Sequence, residues 1–140
     1  MVLTTSSLID EHLGECLTAR MVDNAAVLKL TTGFNAPFGT FSAKIVGALA
    51  LGLINEDEHH DLEIIRGIRN EFAHKIEVSF ENQSFKSRCA NFRLKAHDYG
   101  DVVVDPQGQF STAAVAMIMR LTNRAAYAAR HRITCEPWPI

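Results

Sequence analysis

The stretch D61-L-E-I-I-R-G-I-R-N-E-F-A-H74 decides how this chain is read. At about 100° per residue, Leu62, Ile64, Ile65, Ile68, Phe72 and Ile76 share one broad face. Such a pattern predicts an amphipathic helix against a core. Asn55 is placed to cap it, and Glu56, Asp57 and Glu58 suit the positive end of its dipole. The helix is predicted over Glu56 to about Lys75. Arg69 falls inside the apolar face, between Ile65 and Phe72. A guanidinium there needs a carboxylate or carbonyl partner, because burying it unpaired costs several kcal/mol. Arg66, Asn70 and His74 form a second line along the polar flank, each four residues after the last.

Working outward, most of the chain reads as helix. Ser6 or Ser7 is expected to cap a first helix to about Val22, with Leu8, Leu13, Cys16 and Leu17 as its stripe. Asp23 or Asn24 opens a short second helix that ends by Gly33. The segment G33-F-N-A-P-F-G39 is dense in turn formers. Thr40 opens a third helix through about Leu53, apolar around its axis except for Lys44. That composition predicts burial on all sides. Gly47 and Gly52 each cost helix propensity of about 1 kcal/mol, and the small residues at this end predict close approach by a neighbouring backbone. Asn82 or Ser84 opens a fifth helix to about Leu94. The span 95–105 reads as a loop holding one short extended piece, and Val102-Val103-Val104 is its β-branched run. Pro106 suits the first turn of a last long helix to about Arg130, and Pro137 and Pro139 stop any continuation. The prediction is all-α: a single domain over 1–140, one compact bundle of about six helices, with 137–140 a short Pro/Trp tail.

Composition bounds the function. The chain has 140 residues, 47% hydrophobic and 21% charged, with a net charge of -2. These values exclude a disordered chain or a disulfide-stapled mini-protein. A slightly acidic balance argues against strong non-specific nucleic-acid binding. Cys16, Cys89 and Cys135 form no Cys-x-x-Cys pair and read as reduced, apolar thiols. The acid-bearing N-terminus does not fit a signal peptide, and the apolar run 45–54 is too short for a span of about 20 residues. A cytoplasmic location with no membrane partner is the expectation. No Gly-rich phosphate loop or H-E-x-x-H occurs, so no cofactor is expected. The run E56-D-E-H-H-D61 places His59 and Glu63, and Glu56 and His60, one turn apart without a third ligand. It reads as a solvated helix start, and no metal is expected. Arg120 and Arg124, with Arg130-His131-Arg132, read as a cation-rich helix end rather than a phosphate strip. No helix pair has helix-turn-helix spacing, so no direct DNA reading is expected. Trp138 in its tail packs on the domain or on a partner.

The ordered segments N35-A-P-F-G-T-F-S-A-K-I45, A48-L-A-L-G-L-I54 and D61 to H74, continued by S79-F-E-N and R88-C-A, resemble the mannitol operon repressor (MtlR) family. The resemblance covers about residues 33–94. It implies an all-helical cytoplasmic regulator, dimeric, working through an unidentified protein partner. Transcription would be affected indirectly. Arg66, Arg69, Asn70 and His74, with Asn35, Pro37, Gly39 and Thr40, would then be anchoring or binding residues, none catalytic. In that role Arg69 would bond the 35–40 loop or a first-helix acid, Asp10 or Glu11.

The spacing R69-N-E-F-A-H74 also resembles the R-x4-H motif of HEPN domains, which implies a metal-independent ribonuclease, such as the toxin of a toxin–antitoxin pair. His74 would be general acid or base, Arg69 would stabilise phosphate charge, and Asn70 would orient either. Arg69 and His74 lie about 140° apart on a helix, so that site needs two chains, with RNA as substrate. A third reading is a small-molecule sensor with its pocket under the 33–39 loop.

Overall fold

A computed structural model describes residues 1–75 and 77–140; Ile76, assigned by its spacing to the apolar face of the fourth helix, lies outside the described residues. Among the described residues there are seven helical segments and no β-sheet: α1 (Val2–Arg20), α2 (Ala25–Thr31), α3 (Phe41–Ala50), α4 (Glu56–His74), α5 (Gln83–Ala90), α6 (Pro106–Thr122) and α7 (Arg124–Arg130). The all-α bundle expected from the sequence is the fold observed. Its last predicted helix is interrupted at Asn123, whose φ of -102° and ψ of 0° separate α6 from α7.

Helix α1 is the hub, touching α2, α3, α4, α6 and α7. At one end of the bundle the Met1 sulfur lies 3.8 Å from the Ser111 hydroxyl of α6. At the other end the Arg20 guanidinium donates to the His131 carbonyl after α7. Helices α1 and α6–α7 therefore run in the same direction. Ile9, Leu13 and Leu17 of α1 meet Ile45 of α3, Leu62, Ile65 and Ile68 of α4, and Met117 and Leu121 of α6 in one dry core. Phe72, Phe80 and Phe85 extend it, with ring centroids 4.8–6.4 Å apart; Phe110 joins from α6. Tilted pairs at these distances add stability beyond their buried area.

Several helix ends differ from the sequence-based boundaries for identifiable reasons. Helix α1 starts at Val2, and Ser6 is not a cap: it is buried inside the helix, its hydroxyl donating to the Val2 carbonyl at 2.7 Å. The stripe uses Ile9 in place of Leu8, which is exposed. Asn24, Thr40, Asn55 and Asn82 each cap a following helix by accepting a backbone N–H. Helix α3 ends at Ala50, three residues early. Gly52 adopts φ +71°, with Gly52 N–H bonded to Leu49 O at 3.2 Å and Leu53 N–H to Ala48 O at 2.8 Å. That pair of bonds is a Schellman termination, and the left-handed position favours glycine. Helix α5 stops at Ala90, four residues before the expected end.

Helix α3 is not buried on all sides, since Val46 is exposed. Gly47 serves close packing, but by a side chain: a Cβ there would lie 2.7 Å from the Phe38 ring. The 33–39 loop thus folds back on α3 through Phe38. The loop 95–105 holds one extended contact, an antiparallel bridge between Tyr99 and Val102.

Candidate functional site

The residues marked by the sequence on α4 do not form a single cluster. Arg69 is half-buried, with its guanidinium carbon 5.4 Å from the centre of the Phe41 ring. Among the described residues it has no hydrogen bond or ion pair to the 35–40 loop, Asp10 or Glu11. Lys44 takes Asp10 instead, at 2.8 Å. The aromatic face offers what the missing carboxylate would have supplied, because a ring quadrupole attracts a cation and leaves its N–H groups free for water. Arg66 pairs with Glu63 on its own helix at 2.8 Å. Asn70 and His74 are exposed, one turn apart. Asn35 occupies a left-handed turn position at φ 56°. Gly39 N–H closes the turn onto Ala36 O, and Thr40 caps α3.

The acidic start of α4 is solvated at Glu56 and Asp57 but not at Glu58 and Asp61. Glu58 is 1% exposed. It completes a capping box, accepting from the Asn55 N–H at 2.9 Å while Asn55 accepts from Glu58 N–H. Both its oxygens accept from Arg124 Nη1 at 2.8 Å, and Arg120 approaches to 3.7 Å. Arg124 Nη1 also reaches the Leu53 carbonyl at 3.2 Å. Asp61, fully buried, accepts the backbone N–H groups of Arg93 and Leu94, each at 2.8 Å. Its partners hold the chain that leaves α5 against α4. His60 Nδ1 lies 3.0 Å from the same carboxylate. Two of the run's acids are therefore built into the fold. Among the described residues, no three His, Cys, Asp or Glu side chains group as metal ligands.

Arg124 and Glu58 form the floor of a cleft of about 570 Å³ at the α7 end of the bundle. Arg20, Leu53, Asn55, Tyr127 and His131 also line it. Arg20 Nε donates to the Leu51 carbonyl at 3.3 Å and Nη1 to the His131 carbonyl. Arg132 donates to the Thr18 and Met21 carbonyls, at 3.2 and 2.9 Å. The cation-rich end expected from the sequence is therefore solvated at Arg120 and Arg130, while Arg124 and Arg132 tie elements together.

A second groove, of about 430 Å³, separates α4 from α5 and is lined by Glu56, His59, His60, Glu63, Ile64, Arg88 and Arg93. Arg88 lies across Gly67, where a Cβ would meet its Nη1 at 1.8 Å, and it pairs with Glu71 at 3.0 Å. The glycine in mid-helix makes room for that guanidinium.

Cys16 and Cys89 are buried, and burial pushes each thiol up to about 11; the nearby Arg124 opposes this at Cys16 and Lys95 at Cys89. Neither is a nucleophile at neutral pH. Trp138 stands 74% exposed, so it does not pack on its own domain.

The sequence pointed to α4's polar flank and passed over Glu58, Asp61 and Arg20. Asn55-x-x-Glu58 was a readable capping-box signature, but the burial of Glu58 depends on Arg124, 66 residues away. No family model matches the chain, and no curated protein or solved structure shows significant similarity to it.

Proposed function

We propose that this chain is a non-enzymatic regulator of the mannitol operon repressor type, which self-associates and affects transcription through protein contacts. The observation that carries the protein-contact reading is on α6. Val115 and Met119, one turn apart on the same face, are 52% and 73% exposed. Exposed apolar side chains aligned on one helix form a contiguous apolar strip, the kind of surface that another protein covers. Two features support the regulatory part: the ordered resemblance over residues 33–94, and a slightly acidic chain. Arg69 supports a non-catalytic role by its seat on Phe41, which makes it a packing element about 100° around α4 from Asn70.

The test is oligomeric state by light scattering, for wild type and for Val115→Glu/Met119→Glu. A wild-type dimer that the double variant converts to a folded monomer is the expected result. A monomeric wild type that captures no protein partner overturns the reading.

One observation favours a second reading. Asn70 and His74 are both open to solvent on α4, so a second copy could supply the arginine of a HEPN-type ribonuclease across a symmetry axis. RNA cleavage in excess chelator, abolished in a folded His74→Ala variant, would establish that reading and retire the regulator.

A further inference from the structure

We propose that the cleft at the α7 end is a binding site for a small dianionic phosphate compound, a phosphomonoester. The charge count comes first. Arg20, Arg120 and Arg124 converge on this cleft or its floor, and the buried carboxylate that faces them is Glu58. Arg20 and Arg124 outweigh Glu58 by one positive charge within the lining, half-buried where attraction for an anion exceeds that of surface charges, and the exposed Arg120 beside Glu58 adds a second from outside it. Tyr127 of the lining is itself covered by a cation, with the Arg130 guanidinium 5.5 Å from the centre of its ring.

Donor geometry comes next. Arg20 uses Nε and Nη1 on the Leu51 and His131 carbonyls, and among the described residues its Nη2 has no partner. Arg124 spends Nη1 on Glu58 and Leu53, and its Nε and Nη2 are likewise unused. Arg20 is already held by two carbonyls and Arg124 by the Glu58 carboxylate and the Leu53 carbonyl, so a ligand loses little affinity to ordering them. Arginine forks match phosphate oxygens. The apolar Leu53 on the wall and the volume of about 570 Å³ leave room for an organic group beyond the phosphate. The inference stands on the cleft alone and survives if the regulator reading fails.

The experiment titrates the full chain with glycerol phosphate and with inorganic phosphate, using calorimetry and arginine Nε–H resonances. Sodium chloride at matched ionic strength is the control. The expected result is saturable binding of the phosphomonoester, with the Arg20 and Arg124 Nε–H signals shifting and chloride leaving them in place. Equal affinity for inorganic phosphate would identify the phosphate group alone as the ligand, with the site upheld. Arg20→Gln should weaken binding about tenfold or more, the loss of one charge-assisted contact. If Arg20→Gln does not fold, Arg20→Lys keeps the charge without the fork and should still weaken binding severalfold. No saturable binding at millimolar phosphate, or unchanged affinity in a folded Arg20 variant, overturns the proposal.

Discussion

Arg124→Met is the sharpest test of how α4 is joined to α7. Glu58 is 1% exposed and Arg124 Nη1 holds both its oxygens at 2.8 Å. Removing the guanidinium strands a buried carboxylate, and breaking such a pair costs about 3–5 kcal/mol. Two features put this case near the lower figure. Arg120 stays within 3.7 Å, and the Asn55 N–H still donates to Glu58. The expectation is therefore about 3 kcal/mol, a large part of a total stability of about 5–15 kcal/mol. For a chain of this size it corresponds to a fall in Tm of about 10 °C. Urea unfolding followed by circular dichroism measures it. Glu58→Gln/Arg124→Met should be more stable than Arg124→Met alone, since the neutral amide no longer needs a cation and still accepts the Asn55 N–H. A single-variant loss under about 1 kcal/mol, or a double variant no better than Arg124→Met, would refute the account of Glu58 as a charge dependent on its partner.

Other outcomes follow from the same contacts. Asp61→Ala leaves two backbone N–H groups buried without acceptors and should cost about 2–4 kcal/mol, with amide exchange at Arg93 and Leu94 accelerating first. Gly47→Ala drives a methyl into the Phe38 ring and should cost about 1–3 kcal/mol. Gly67→Ala displaces the flexible end of Arg88 and gains about 1 kcal/mol of helix propensity, so its net effect by urea unfolding should be close to zero. Arg69→Ala should cost about 0.5–1 kcal/mol, the scale of a cation–aromatic contact. A loss of several kcal/mol would mean a sealed, hydrogen-bonded arginine. At pH 8 a thiol reagent should label Cys135 quickly. Cys16 and Cys89, whose thiols are raised to about 11 by burial, should stay protonated and unlabelled until denaturant is added.

Several elements were legible before any coordinates. The caps Asn24, Thr40, Asn55 and Asn82 were readable because a cap acts within three residues of itself. Leu62, Ile65 and Ile68 were readable as core because periodicity on one helix is a local property. Helix ends at Ser6, Gly52 and Asn91 were misplaced where the deciding contact or dihedral is not written in composition. A serine inside a helix bonds backward as easily as it caps. A glycine at 52 could equally have continued α3 or ended it.

The sequence by itself determined the all-α class, the positions of most helices and the amphipathic face of α4. Those follow from spacing and capping, which operate over one or two turns. Tertiary structure alone decided the fate of the charges. Arg69 was expected to seek the 35–40 loop or a first-helix acid, Asp10 or Glu11, but Lys44 takes Asp10 and Phe41 lies under the guanidinium. Glu58 and Asp61 were expected in solvent, but Arg124 and the Arg93–Leu94 backbone bury them. A charge takes the partner that folding brings within about 3 Å, at whatever sequence distance, and its attraction strengthens as water is excluded. No local pattern carries that information.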